Sequence, residues 1–149
     1  MEKKTVDYFN IIDKQDENDI YDVIFIVTRF SSLDSIVPII ENNKSKNIVF
    51  VGNNITAEKY AKIKDKNLLF AFFMAAGKKD EEYINSICLN KITIGRIDGK
   101  IISNEFIKSI FKETKIKVII ENKMNDYLKS HACAVLPLVF ACYKVNGNL

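Results

Sequence analysis

Three side chains with binding chemistry stand where apolar runs end. Arg29 follows the run Val23 to Val27 by one residue, and Asn53 and Asn54 follow Asn47-Ile-Val-Phe-Val-Gly52. A guanidinium presents a planar fork of donors that suits a phosphate or a carboxylate. An asparagine amide offers a donor and an acceptor together, which suits a hydroxyl. Asparagine is also a common turn residue, and Arg29 also reads as an exposed loop arginine, so each position carries a structural alternative. If the runs are buried strands, all three residues lie beyond strand carboxyl ends, where open α/β sheets bind ligands.

Other chemistries find less support in the sequence. The single histidine, His131, and scattered acids show no ligand spacing, which argues against a zinc site. A lone histidine on a largely apolar helix reads as a packed or partly exposed residue rather than a proton donor. Cys88, Cys133 and Cys142 lack CxxC spacing and sit in apolar contexts, predicting buried free thiols in a reducing compartment. The net charge of +3 comes from 22 basic and 19 acidic residues spread along the chain, without the basic block that nucleic acid would require. The stretch 112–117 reads as the solvated side of a helix end. The N-terminus has no apolar signal core, and the longest apolar run, 132–142, is too short to span a bilayer and contains Pro137. These features predict a soluble, cytoplasmic protein with no membrane and no nucleic-acid partner.

The elements that must position the candidates are legible in outline. With 149 residues and 48% hydrophobic content, the chain can bury one core. Residues 1–21 predict a short strand around Val6, Tyr8, Phe9, Ile11 and Ile12, then an acidic turn. A strand over 22–28 and another over 48–51 flank a helix with Ile36, Ile39 and Ile40 on one face, the pattern of parallel strands joined by a crossover. Ser31, Ser32 or Asp34 caps that helix and Asn42-Asn43 ends it, with Pro38 either a kink or its true first turn. A helical turn or two over 57–64 precedes an interior strand over 68–76. Ile92 and Ile94, with Ile101 and Ile102 beyond Asp98-Gly99, predict a hairpin with a type I′ turn. Asn104 caps a helix presenting Phe106, Ile107, Ile110 and Phe111, and Ile116, Val118 and Ile120 alternate as a last strand. From Asn122 or Asn125 to about Tyr143, Met124, Leu128, Val135, Val139 and Cys142 share one stripe of a helix bent near Pro137.

Taken together, these segments resemble the ketopantoate reductases, which are 2-dehydropantoate 2-reductases and their relatives. Asp22-Val-Ile-Phe-Ile-Val-Thr-Arg29 resembles the family's strand that ends in a basic residue near cofactor and substrate. Residues 47–54 are similar to the following strand, which ends in an Asn-Gly pair and is here Asn53-Asn54. Leu69 to Gly77 and Ile92-Thr93-Ile94-Gly95 resemble the next two strands, and residues 104–111 the next helix. Asn125-Asp126-Tyr127-Leu128-Lys129 resembles the start of the helical C-terminal domain, where the family carries its catalytic lysine.

The resemblance implies an α/β fold, a partial Rossmann-like dinucleotide-binding sheet over 1–121, and the first helix of a truncated helical domain over 122–149. It implies an NADP-dependent oxidoreductase that transfers hydride to a 2-keto acid such as 2-dehydropantoate, with Lys129 as the acid. Arg29, Asn53 and Asn54 become cofactor and substrate contacts, Asn53 toward a nicotinamide ribose or a substrate hydroxyl. Two departures qualify the expectation. The family's G-x-G-x-x-G turn has no counterpart among Gly52, Gly77, Gly95, Gly99 and Gly147, so NADP binding should be weak or absent and activity impaired or lost. Cys133 stands one turn after Lys129, where many members have asparagine. The competing expectation is a non-enzymatic remnant or accessory module that forms a homodimer or pairs with another chain through an uncovered sheet edge and helix.

Overall fold

The computed structural model describes residues 10–14, 16–79 and 83–145. Five strands, β1 (Ile24–Val27), β2 (Asn47–Val51), β3 (Asn67–Lys79), β4 (Ile84–Gly95) and β5 (Lys117–Ile120), form one sheet in that spatial order. β1, β2 and β3 run parallel, β4 turns back antiparallel on β3, and β5 lies parallel to β4. Helices α1 (Leu33–Asn42), α2 (Ala57–Tyr60) and α3 (Asn104–Phe111) occupy the crossovers, and α4 (Met124–Lys144) follows β5. This is the expected α/β sheet, and no helix among the described residues is long and apolar enough to cross a membrane.

β2 reads as an unbroken apolar run because both of its faces are covered. Ile48 and Phe50 pack with Leu33 and Ile40 of α1, Tyr60 of α2, and Met124 and Leu128 of α4. Val49 packs on the other face with Leu69, Ile92, Ile94 and Ile107 of α3. Phe50 stacks between Tyr60 and Phe70, with ring centroids 5.8 and 5.2 Å away. The two helix layers therefore meet the sheet at β2, whose last residues lead into the candidate site.

Several expectations change. No hairpin forms at Asp98-Gly99, because β4 already pairs with β3 on one edge and β5 on the other, leaving none for Ile101 and Ile102. Ile102 is buried in the α3 layer and Ile101 is 92% exposed. The observed hairpin joins β3 to β4, and its far end, where Ala76 pairs with Ile87, extends beyond the pairing range of β1, β2 and β5. That extension explains Cys88, which is exposed; Cys133 is exposed too and Cys142 half-buried, so the predicted burial of the thiols is wrong. On α4, Met124, Leu128 and Ala132 are buried, but Val135 and Cys142 are only half-buried and Val139 is exposed. Only the first turns of that stripe rest on the sheet.

Smaller corrections concern caps and ends. Ser103, rather than Asn104, caps α3 by accepting the Phe106 N–H at 3.3 Å. Ser32 precedes α1 without a side-chain cap, and Pro38 lies inside that helix rather than in its first turn. Asn43, expected only to end α1, is buried and binds the preceding loop: its amide donates to the Asp19 carbonyl at 2.9 Å and accepts from the Ser45 N–H at 2.8 Å. Val6, Tyr8 and Phe9 lie outside the described residues, while Ile11 and Ile12 are exposed and outside any strand.

Candidate functional site

β2 delivers the site through a turn that needs glycine. Gly52 has φ +144°, a conformation that L side chains rarely adopt, and its N–H donates to the Ala71 carbonyl at 2.9 Å, the last sheet contact of β2. The chain then coils tightly, with the Asn54 N–H donating to the Gly52 carbonyl at 3.0 Å and the Ala57 N–H to the Asn54 carbonyl at 3.2 Å. Asn54 is buried in this turn, and Asn53 Oδ1 is shielded from solvent without a hydrogen-bond partner. A buried acceptor left unpaired costs about 1–3 kcal/mol, so it marks a place where a donor is missing.

The turn leads into α2, which is held from two sides. Toward α1, Lys59 Nζ donates to both oxygens of Asp34 at 2.7 and 2.6 Å, and the Tyr60 hydroxyl donates to the same carboxylate at 2.9 Å. Toward α4, Glu58 Oε1 accepts from Lys129 Nζ at 2.6 Å and from Asn125 Nδ2 at 2.7 Å. Hydrogen bonding from Lys129, then from Asn125, holds the Glu58 carboxyl below the ordinary carboxylate range. Lys59 and then Tyr60 do the same for Asp34. Asn125 Oδ1, like Asn53 Oδ1, is shielded and unpartnered.

α4 reaches α2 because its first turn packs hard against the sheet. Gly95 closes β4 where a side chain cannot fit, since a Cβ there would lie 2.2 Å from the Glu121 carbonyl oxygen and 2.6 Å from Met124 Cβ. Met124 and Leu128 enter the core, which turns Asn125 and Lys129, one helical turn apart, toward Glu58. His131 is packed, as its apolar setting suggests: its ring centroid lies 4.0 Å from that of Phe72 and 6.2 Å from that of Tyr127.

Of the residues singled out in the sequence, Asn53, Asn54 and Lys129 converge on the turn and helix that follow β2. Arg29 follows β1 at the same sheet edge and is exposed, and among the described residues its side chain makes no hydrogen bond or ion pair with the other three. Glu58 escaped the sequence reading, and Asn125 entered it only as the start of a helix. Glu58 stands 67 residues from Asn125 and 71 from Lys129, so no local spacing signals the contact. A cavity of about 220 Å³ lies at the opposite end of the sheet, beside Lys66, Phe70, Arg96 and Asp98. Arg96 already spends its fork on Asp98, at 2.8 and 2.6 Å, so that cavity offers no free cation from this pair.

No family model matches the chain, and no curated protein is significantly similar to it in sequence. Solved structures are similar in fold. A dimeric ketopantoate reductase from Staphylococcus aureus matches with a TM-score of 0.51 at 18% identity, covering 70% of this chain and 38% of its own. A second S. aureus chain, described as a 2-dehydropantoate 2-reductase, gives 0.54 at 17% identity over 73% of this chain and 36% of its own. A Bacillus subtilis chain described in the same words gives 0.57 at 13% identity over 70% and 37%. The chain has the fold of part of a ketopantoate reductase. Identities this low establish the fold alone, and the chain spans well under half the length of each of these ketopantoate reductase chains.

Proposed function

We propose that this chain is the strand-end portion of an NADP-linked reductase of the ketopantoate reductase type, acting on a 2-keto acid such as 2-dehydropantoate. The observation that carries the reading is the meeting of Lys129 and Asn125 from α4 with Glu58 of α2, directly after the Asn53 turn. In this reading residues 1–121 form the partial dinucleotide-binding domain and residues 122–149 begin a helical domain. The exposure of Leu136, Leu138, Val139 and Phe140 on α4 suits a helix whose remaining neighbours belong to that second domain.

NADPH, when bound, supplies the hydride. Lys129 Nζ would hold the proton that neutralises the oxygen of the reduced carbonyl, as a general acid. Asn53 binds a hydroxyl of ribose or substrate, for which its unpartnered Oδ1 is a suitable acceptor. Arg29 and Asn54 complete the cofactor side of the sheet edge, Arg29 by pairing with phosphate or carboxylate. The sequence contains no glycine-rich turn to cradle the pyrophosphate, so NADPH binding to this chain is weak.

Fluorescence titration with NADPH tests the reading. The expected result is weak saturable binding, weakened further by Asn53→Ala. Binding that Asn53→Ala leaves unchanged, or tight saturable binding, would sink it.

A further inference from the structure

We infer that Glu58 is the positioning residue of this site, setting both the Lys129 ammonium and the Asn125 amide; the inference rests on the reading of Lys129 given above. One carboxylate oxygen, Oε1, accepts from both groups, at 2.6 Å from Lys129 Nζ and 2.7 Å from Asn125 Nδ2. Asn125 and Lys129 are four residues apart on one helix, so a single acceptor opposite that face reaches both.

The chemistry of the carboxylate fixes the asparagine. An ionised Glu58 can only accept, so the nitrogen of the Asn125 amide must face it and the oxygen must face away. That oxygen is the atom found shielded and without a partner. Asn53 Oδ1, on the turn that leads into α2, is the second such atom. The Asn125 acceptor, which lacks a donor, stands one helical turn from a lysine that can only donate, and the pair suits a group that both gives and receives hydrogen bonds. A hydroxyl or a primary amide fits that description, whereas a bare carbonyl satisfies the lysine alone.

Glu58 can hold its partners because α2 is itself anchored. Lys59 and Tyr60, the next two residues, fasten the helix to Asp34 of α1 from the other side. Glu58 therefore links the strand-end turn to α4, and its role differs from that of an ordinary surface ion pair. Half-exposed pairs contribute little stability, so losing this one should alter the geometry of Lys129 far more than it alters folding.

The test is acetylation of the folded chain by acetic anhydride, read lysine by lysine by mass spectrometry, with Lys108 and Lys117 as internal controls. Glu58→Gln and Glu58→Ala are expected to raise the Lys129 rate about threefold or more by freeing the Lys129 side chain from the hydrogen bond that holds it against Glu58, with the controls and the melting temperature unchanged. Glu58→Asp should recover part of the protection, and the side-chain amide NMR signal of Asn125 should move in the Gln and Ala variants. Equal Lys129 rates in all four proteins, with an unmoved Asn125 signal, overturn the proposal. A failure of the NADPH titration instead removes the functional reading, and the acetylation result stands or falls independently of it.

Discussion

Replacing Gly95 by alanine should loosen the element that carries Lys129, and the size of the effect can be worked out. The added Cβ would meet the Glu121 carbonyl oxygen at 2.2 Å and Met124 Cβ at 2.6 Å. An ordinary C···O contact is about 3.3–3.6 Å, so the junction between β5 and α4 must move by roughly 1 Å. That junction is not free to move. The Glu121 N–H donates to the Ile94 carbonyl at 2.9 Å, and Met124 and Leu128 are fully buried a few residues later. Overpacking of this kind costs about 1–3 kcal/mol, and straining the Glu121 hydrogen bond adds about 1 kcal/mol. We expect Gly95→Ala to lose about 3 kcal/mol in urea unfolding followed by circular dichroism, with an unchanged m-value and a midpoint lower by roughly 1–2 M. Gly99→Ala is the control: its φ is +74° but nothing lies within 4 Å, so only backbone strain of about 1–2 kcal/mol applies. A Gly95→Ala protein within about 0.5 kcal/mol of the unaltered chain would refute the close packing of α4 on β4.

Three further outcomes follow from the same geometry. Asn43→Ala should lower the melting temperature by roughly 4–8 °C in a thermal scan, since it strips the buried Ser45 N–H and the Asp19 carbonyl of their partner, a loss of about 2 kcal/mol. The Arg96 guanidinium holds the Asp98 carboxyl down at about 2, below its ordinary 3.8, so the pair stabilises the fold above pH 3.8 and that contribution fades as pH falls toward 2. Asp98 is one-third exposed, so Asp98→Asn should cost about 1 kcal/mol at pH 7 and nearly nothing at pH 2, read from urea midpoints at both. Cys88 and Cys133 should react with a thiol reagent in the native chain within minutes while half-buried Cys142 lags; equal protection of all three would contradict their exposure.

Much of the sheet was readable because β2 and the first half of β3 are buried on both faces, and that burial writes continuous apolar runs into the sequence, whereas β1 buries Ile26 and leaves Phe25 and Val27 exposed on its other face. The same reasoning hid the first half of β4. Ile84, Ile87 and Leu89 are all exposed on the part of the hairpin that extends past the other strands, so no face is buried there and no period of two is imposed. Ile101 and Ile102 were misread because their spacing is local, whereas pairing depends on whether an edge of β4 is vacant. At the site, Asn53 and Asn54 were visible as the polar end of a strand. Glu58 was not, because its meaning comes from a helix 67 residues further along. Lys129 was found through the family resemblance and then met its partner in the fold.

The measurement that bears most directly on the reductase reading is NMR mapping of NADPH binding on the 15N-labelled chain. The account predicts shift changes centred on Asn53, Asn54, Glu58, Asn125 and Lys129, with a dissociation constant on the order of 1 mM, about −4 kcal/mol, because the phosphate cradle is missing from the sequence. Changes confined to the opposite end of the sheet, around Arg96 and Lys66, or a dissociation constant in the micromolar range, would contradict it.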